Sequence, residues 1–269
     1  MANFSNTLYN MGVMNDLARK DTPIHRIHPL AKVLTTFVYL LILVSFDRYE
    51  ISGLLPLIFY PLLVFLFAEL PAGPILKRIL FVEPFIIGIG ILNPFFDQEI
   101  VIIGGIALSR GWITFFSIFI KSGLAVTAGL LLMATTGMDK LAAALRLLKI
   151  PRLFVLQLLL TYRYISLLME EVARTIRAYS LRAPTHKGVH RSAWGSLAGQ
   201  LLLRTLDRAQ RIYQAMCLRG FTGEYHTGED AHMQWRDFIY VISWSIFFVI
   251  IRLYNIPMVI GALLMGVIR

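Results

Sequence analysis

The sequence predicts an all-α, polytopic membrane protein with about five transmembrane helices and a helical domain inserted before the last span. Hydrophobic residues make up 57% of the 269 positions and the mean hydropathy is +0.66, which is too apolar for a soluble domain. Several apolar runs are long enough to cross a bilayer. The formal net charge of +10 nevertheless requires that part of the chain lies in water.

The N-terminal segment, residues 1–29, is predicted to be cytoplasmic. Met1 to Thr22 is polar and has no apolar core ahead of a small-residue cleavage site, so no cleaved signal peptide is expected. Cys217 is the one cysteine of the chain. It excludes an intramolecular disulfide and suits a reducing compartment.

Residues 30–136 are predicted to form a membrane domain of four spans. The apolar runs are Leu30–Phe46, Ile51–Ala68, Ile79–Phe96 and Trp112–Thr136. Glu83-Pro84 is predicted to break the third run, and Asn93-Pro94 to end it. Ile100 to Leu108 is too short to span, and Gly104-Gly105 among β-branched residues predicts a small extracellular hairpin or a re-entrant piece.

A C-terminal membrane helix is predicted within residues 236–269. Phe238 to Ile268 is apolar, but Arg252, Asn255 and Pro257 interrupt it. Hydropathy leaves open whether the tail after Pro257 completes one kinked helix or turns back.

The distribution of cations predicts the orientation of these spans. Lysines and arginines precede the first span, lie between the second and third spans as Lys77 and Arg78, and are frequent in residues 137–235. The loops of the other side, 47–50 and 97–110, hold few of them. The positive-inside rule therefore places the N-terminus and residues 137–235 in the cytoplasm, and the last span crosses outward.

Residues 137–235 are predicted to form a domain of three helices. The first covers Asp139 to Lys149, and Pro151 opens a second that continues to Arg182 and is roughly 48 Å long. The first half of this helix is apolar nearly all round and its second half is charged, so we expect it to start against the membrane domain and end in water. The third helix, Ser192 to Arg219, is apolar along one face.

The two long helices close with one shared pattern, R-x-x-x-A-x-x-L-R-[AG], at Arg174–Ala183 and Arg211–Gly220. Pro184 and Gly220 are expected to stop these helices. Two parallel helix ends, each with a forked cation beside the negative pole of the helix dipole, predict a two-pronged docking device rather than an active site. The alternative is a pair of amphipathic helices lying on anionic lipid.

Four further segments stand out beside this repeat. They read I-H-R-I-H-P-L-A-K from Ile24, A-T-T-G-M-D-K-L-A-A-A-L from Ala134, K-I-P-R-L from Lys149 and T-Y-R-Y-I-S-L-L-M-E-E from Thr161. Together with the closing arginines, they resemble the transmembrane T component of energy-coupling factor (ECF) transporters, and more narrowly its CbiQ branch, which serves cobalt uptake. The resemblance covers nearly the whole chain.

The resemblance implies a role for the closing residues. In that family, x-Arg-x triplets end two coupling helices that dock in grooves of two cytoplasmic ABC-type ATPases. Carried over, the triplets are Leu181-Arg182-Ala183 and Leu218-Arg219-Gly220. Many members have Ala before the arginine and often Gly or Ser after it, whereas here Leu precedes both arginines and Ala follows the first. The resemblance also implies that a separate substrate-binding membrane subunit selects the metal.

We therefore expect an energy-coupling subunit of an ATP-driven importer in the cell membrane, for cobalt ions or alternatively for nickel or a vitamin. The sequence contains no G-x-x-x-x-G-K-[ST] loop, so we expect no enzyme, no cofactor and ATPases on separate chains. No nucleic-acid partner is expected, because the cations follow the membrane topology. A stand-alone secondary carrier is the second hypothesis; it would place a repeat in the spans, whereas the repeat lies in residues 137–235.

Other polar and aromatic residues have more than one interpretation. We favour solvated loop positions over ligation of Co²⁺ or Ni²⁺ for four histidines: His186, His190, His226 and His232. Glu83 and Lys121 lie in apolar runs and are functional candidates; each could instead reach the interface, or the two could form an ion pair. Three tryptophans are predicted to be interface anchors: Trp112, Trp235 and Trp244.

Overall fold

The computed structural model describes residues 17–96, 100–103, 106–182, 189–223 and 233–254. The chain divides into two compact units. We call residues 17–137 with 233–254 the bundle unit, and residues 138–182 with 189–223 the insert unit. Each is described by itself.

The bundle unit consists of helices and one hairpin. Its elements are α1 (Pro29–Ser45), a 3₁₀-helix (Ser52–Ile58) that continues as α2 (Phe59–Phe67), α3 (Ala72–Gly90), α4 (Asn93–Phe96), β1 (Ile100–Ile103), β2 (Ile106–Ser109), α5 (Arg110–Thr136) and α9 (Trp235–Leu253). The insert unit contains α6 (Met138–Leu147), α7 (Arg152–Arg182) and α8 (Arg191–Leu218). The predicted helical class is therefore found, with one short β-hairpin in addition.

Two apolar runs fold differently from the prediction. The third is not broken at Glu83-Pro84, because α3 begins at Ala72 and contains Pro84. A proline removes one helical hydrogen bond, but α3 packs against α5 on both sides of Pro84, at Glu83 and at Gly90. The second run starts as a 3₁₀-helix with Pro56 inside it and becomes α-helical only from Phe59.

The short apolar segment before α5 forms the predicted hairpin. β1 pairs with β2 in antiparallel register, with Ile100 opposite Ser109 and Ile103 opposite Ile106. This register leaves two residues for the turn, as expected for Gly104-Gly105, which lie outside the described residues. The side of the membrane on which the hairpin lies stays a prediction.

Contacts along α1 fix the directions of its neighbours α2 and α5. The Tyr39 hydroxyl donates to the Leu57 carbonyl at 3.3 Å, and Thr36, nearer the start of α1, pairs with Tyr60 at 3.2 Å, so α2 runs antiparallel to α1. Lys32 Nζ donates to the Thr135 carbonyl at 2.9 Å, while Lys121 Nζ, fourteen residues earlier in α5, reaches the end of α1. α5 is therefore antiparallel to α1 as well.

The remaining long helices, α3 and α9, run in the direction of α1. Gly90 lies against the Phe115 ring and Gly123 against the Glu83 carboxylate, so α3 is antiparallel to α5. Asp237 bonds to His28 at the start of α1, and Arg252 bonds to Ser45 at its end, so α9 is parallel to α1. The directions of α1, α2, α3, α5 and α9 thus alternate along the chain.

The core of the bundle unit is aromatic. The Tyr60 ring lies 4.9 Å from Tyr39, 4.8 Å from Trp244 and 5.3 Å from Phe248, measured between centroids. Tyr39 and Phe248 are fully buried. Trp244 is thus part of the aromatic core rather than an interface anchor, whereas Trp235, at the start of α9, is 77% exposed.

Length and composition single out two helices. Among the described residues, α5 and α7 are long and apolar enough to cross a membrane. Two apolar stretches are shorter: α1, and the 3₁₀-helix together with α2.

Candidate docking site

The insert unit begins with a sharp reversal between α6 and α7. Lys149 has a positive φ of 61°, and the amide of Ile150 donates back to the Leu145 carbonyl at 3.4 Å. This is a Schellman motif, in which one left-handed residue ends a helix. Ile150 then packs against a small buried cluster formed by Ala142, Val155 and Leu159. The reversal therefore fastens α6 to the first half of α7.

The two long helices of the insert unit run in opposite directions. Near their connection, the amide of His190 donates to the Tyr179 hydroxyl at 3.4 Å. Further from it, Arg204 Nη1 lies 3.3 Å from Glu171 Oε1. The prediction of two parallel helix ends is therefore wrong, because a short connection between adjacent helices produces an antiparallel pair.

An apolar groove of about 710 Å³ lies between α7 and α8. Leu153 and Leu156 from the start of α7 line it together with Ile212 and Met216 from the end of α8. The closing arginine of α8 is thus beside the first turns of α7, and Arg182 is at the far end of α7. A separation on the order of 40 Å along the axis of α7 follows from 1.5 Å per residue.

The second closing triplet is held by the local backbone. Gly220 has a φ of +79°, and the amide of Phe221 donates to the Met216 carbonyl at 3.0 Å. This is again a Schellman motif, and Phe221 and Met216 line the same groove, as the hydrophobic contact of that motif requires. The motif leaves Leu218 outside, 90% exposed, next to the exposed Arg219.

The first closing triplet has the same exposed pair. α7 ends at Arg182, and Leu181 is 79% exposed. Ala183 lies outside the described residues. Glu171 pairs with both Arg174 and Arg204, whereas neither Arg182 nor Arg219 makes an ion pair with a described residue. Each helix end therefore exposes an apolar side chain beside a forked cation.

A polar cluster missed by the sequence analysis ties the helix starts of the bundle unit. The buried Asp237 accepts hydrogen bonds from the amides of His28 and Gln234, both at 2.8 Å. The buried Lys32 donates to the carbonyls of His25 and Thr135. A helix-start signature, Gln three residues before Asp237, could have indicated the first of these contacts. No sequence signal indicates the long-range partners.

His25, in the same cluster, is held in its neutral form. Its Nδ1 lies 2.7 Å from the Thr22 hydroxyl, and its Nε2 lies 3.0 Å from the Leu17 carbonyl. Neutral imidazole matches this pair, with one nitrogen accepting and the other donating. Burial, and then the nearby Lys32 ammonium, lower the pKa of His25 below its usual 6.5.

Lys121 and Glu83 do not pair with each other. Lys121 Nζ donates to the carbonyls of Phe46 at 2.7 Å and Asp47 at 3.1 Å, at the end of α1. Glu83 is buried against Gly123, and its Oε2 has no hydrogen-bond partner among the described residues. Lys121 therefore satisfies helix-terminal carbonyls, and the ion-pair interpretation is wrong.

The one described linker histidine has a local role. His190 precedes α8, and its Nδ1 accepts from the Ser192 amide at 3.3 Å and lies 2.7 Å from the Ser192 hydroxyl. It therefore caps the helix. The other candidate histidines, His186, His226 and His232, lie outside the described residues. Within the described part of the chain, no three His, Cys, Asp or Glu side chains gather as a metal site would need.

With the bundle, the insert and its two closing ends described, the chain can be compared with known proteins. The sequence profile of CbiQ, the cobalt transport protein family, matches residues 20–229. The chain belongs to the CbiQ family. The matched region contains α1 to α8 and both closing triplets. Membership makes the chain a membrane component of a transport family.

Individual relatives match part of the chain. The nickel permease LarQ of Lactiplantibacillus plantarum is 30% identical over 117 residues, 42% of this chain and 43% of the relative. The cobalt transport protein CbiQ of Salmonella typhimurium is 29% identical over 137 residues, 47% and 60% of the two chains. A Ycf92-like protein of Nostoc sp. is 34% identical over 121 residues, 42% and 39%. The matched parts thus span 39–60% of these curated relatives.

Proposed function

We propose that this CbiQ-family chain is the transmembrane energy-coupling subunit of an ATP-driven ECF-type importer for cobalt ions. In this role it joins two cytoplasmic ABC-type ATPases to a substrate-binding membrane subunit. The observation that carries the proposal is the pair of exposed Leu-Arg helix ends, Leu181-Arg182 and Leu218-Arg219. Two copies of one motif at opposite ends of a helical hairpin suit two copies of one kind of partner.

Each closing arginine docks in a groove of one ATPase. The guanidinium donates to acidic or carbonyl oxygens of that groove, and the leucine beside it is removed from water. The hairpin joins the two docking ends through the Glu171–Arg204 ion pair and the Tyr179–His190 contact. When ATP binding and hydrolysis move the two ATPases, the two ends of the hairpin follow them. The motion then passes to the membrane helices and the substrate-binding subunit.

The bundle unit spans the membrane about five times in this proposal, with the N-terminus and the insert unit in the cytoplasm. The alternating directions of its five longer segments support this arrangement, because successive spans must alternate. The parallel pair of α1 and α9, joined at His28–Asp237 and at Ser45–Arg252, supports the predicted outward crossing of the last span.

α7 belongs to the insert unit in this proposal, although its length and composition would allow a span. It forms one compact unit with α6 and α8 and not with the bundle helices. Part of its apolar surface contacts protein, because Val155 and Leu159 are buried on α6, and Leu156 and Leu160 line the groove with α8.

Charge reversal at both docking ends tests the proposal. The double variant Arg182→Glu with Arg219→Glu is expected to insert into the membrane but to lose the ATPases, because like charges at a desolvated contact cost several kcal/mol. The matched control is Arg177→Glu with Arg211→Glu, which makes the same charge change at exposed positions of the same helices. Co-purification of the ATPases is the measurement. Wild-type recovery with the first variant, or equal loss with the control, contradicts the proposal.

The exposed Cys217 in α8 tests the orientation directly. In intact cells, a membrane-impermeant maleimide is expected to leave Cys217 unlabelled and to label it after permeabilisation. A Cys217→Ser chain with Arg48→Cys, in the exposed turn after α1, is expected to react in intact cells. Labelling of Cys217 from outside would place the insert unit on the wrong side for cytoplasmic ATPases.

Nickel is the second candidate substrate, because a nickel permease and a cobalt transport protein are similarly close relatives. Uptake of radioactive Co²⁺ and Ni²⁺ by the complete transporter, each with the other ion as competitor, decides between them. Uptake by this chain without ATPases would instead support a stand-alone carrier.

A further inference from the structure

A second, smaller groove lies in the bundle unit, apart from the docking ends. Its volume is about 300 Å³, at the lower end of the roughly 300–1,000 Å³ of small-ligand pockets. Its lining is apolar and comes from the segment before α1, from α2 and from α9: Pro23, Ile24, Ile27, Leu63, Val64, Phe67, Tyr240 and Trp244. The groove lies where α1 and α9 begin and α2 ends.

One exposed cation of α9 precedes two of the residues that line this groove. Arg236 lies one helical turn before Tyr240 and two turns before Trp244, so the three residues follow one another on the same side of α9. Helical side chains tilt toward the N-terminus, which directs Arg236 away from the apolar lining and toward the water side. Arg236 is exposed and makes no ion pair with a described residue.

Two cations of the segment before α1 are engaged within the chain. Lys20 Nζ donates to the Glu69 carbonyl at 2.7 Å, two residues beyond Phe67 of the lining. Arg26 forms a two-bond ion pair with Asp21, at 2.7 and 2.8 Å. The Lys20 contact fastens the segment before α1 to the end of α2, which builds one wall of the groove. Lys20 and Arg26 are thus engaged, and Arg236 of α9 is the phosphate-binding candidate.

We propose that this groove binds one acyl chain of an anionic phospholipid whose phosphate group is held by Arg236. An apolar cleft lined in part by Tyr240 and Trp244, with an exposed cation one helical turn before Tyr240, matches the order of chain, glycerol and phosphate in such a lipid. A partner helix would need a longer apolar face than this groove provides. The inference rests on membership of a membrane transport family and not on ATPase docking.

Lipid retention by the purified full-length chain tests this inference. The chain is purified in a non-ionic detergent and titrated with phosphatidylglycerol or phosphatidylcholine, and native mass spectrometry counts the bound lipids. We expect one retained phosphatidylglycerol, bound about fivefold more tightly than phosphatidylcholine, as one arginine near an anionic headgroup provides. Inorganic phosphate alone is expected neither to bind nor to displace the lipid, because it has no chain for the groove.

Two variants and a control separate the two parts of the site. Arg236→Gln is expected to remove the preference for phosphatidylglycerol, and Leu63→Trp, which fills the groove, to remove the retained lipid altogether. Lys77→Gln removes an exposed cation from α3, away from the groove, and is expected to change neither. An unchanged preference in Arg236→Gln, or undiminished retention in Leu63→Trp, overturns the proposal. Loss of the substrate-binding subunit with unchanged lipid binding in Leu63→Trp also overturns it, because the groove would then seat a protein.

Discussion

The helix ends of the bundle unit and those of the insert unit differ in the contacts that they make. In the bundle unit, polar side chains of the same unit close the ends: the buried Asp237 bridges the starts of α1 and α9, while Lys121 and Arg252 bind carbonyls at the end of α1. In the insert unit, the ends of α7 and α8 expose Leu181 and Leu218 at 79% and 90%. The first unit makes the contacts of these ends within the chain, and the second keeps exposed leucines, which the proposed ATPases would cover.

The two units also differ in how many of their side chains are buried. The bundle unit has an aromatic core with fully buried Tyr39 and Phe248. In the insert unit α8 has no buried residue, and only Val155 and Leu159 are buried in α7. A partner that buries one of the exposed leucines would gain about 1.5–3 kcal/mol of binding free energy for that side chain. Substitutions should therefore affect stability in one unit and association in the other.

The largest expected effect is on association. Leu181→Ser with Leu218→Ser should weaken ATPase binding about a hundredfold or more, because two leucines no longer leave water. The unfolding midpoint of the isolated chain should hardly change. The matched control is Leu203→Ser, a 64%-exposed leucine of α8 away from the closing triplets. If a binding titration finds equal losses of ATPase affinity in the variant and the control, the closing leucines do not differ from other exposed leucines, and the contrast between the two units fails.

The next largest effect is on the stability of the bundle unit. Asp237→Ala leaves the amides of His28 and Gln234 without their acceptor, and the loss of a buried carboxylate with two hydrogen bonds should cost about 2–3 kcal/mol. Asp207→Ala, at an exposed position of α8, should change stability by less than about 0.5 kcal/mol. Heat-induced unfolding in detergent, followed by tryptophan fluorescence, measures both. Similar midpoints for the two variants would contradict the assignment of Asp237 as a structural tie.

A smaller effect compares two helix ends within the insert unit. Both Lys149 and Gly220 have positive φ, but only glycine adopts that region without strain. Gly220→Ala should therefore cost about 1 kcal/mol, and Lys149→Gly should stabilise by about 0.5–1 kcal/mol. Thermal unfolding of the full chain is the measurement. A stabilising Gly220→Ala would show that the second closing triplet does not need its Schellman motif.

The smallest effect is the pH dependence that His25 gives to the bundle unit. Its pKa is lowered in the folded chain, so the unfolded chain binds the proton more readily and stability falls as the pH drops through the usual value of 6.5. Protonation also removes the acceptor for the Thr22 hydroxyl. The unfolding midpoint should fall between about pH 7.5 and about pH 5.5, and this fall should be reduced in His25→Gln. An identical pH profile in that variant would exclude His25 as its source.

The sequence by itself determined the features that depend on local order. The repeated pattern predicted both helix ends, and α7 and α8 do end at Arg182 and Leu218. Glycines between β-branched residues predicted the hairpin before α5. The docking role of the closing triplets stays a prediction, and Ala183 lies outside the described residues. Such features follow from residues within a few positions of one another, because caps, turns and apolar periodicity are local.

Only the tertiary structure decided which distant groups meet. It placed the two closing arginines at opposite ends of a hairpin, directed Lys121 to the end of α1 rather than to Glu83, and continued α3 through Pro84. It also joined Asp237 to His28, 209 positions apart. A polar group in an apolar run has several possible partners along the chain, and its choice depends on which helix packs beside it. Helix packing is a property of the whole bundle, so no spacing within one segment could have revealed these pairs.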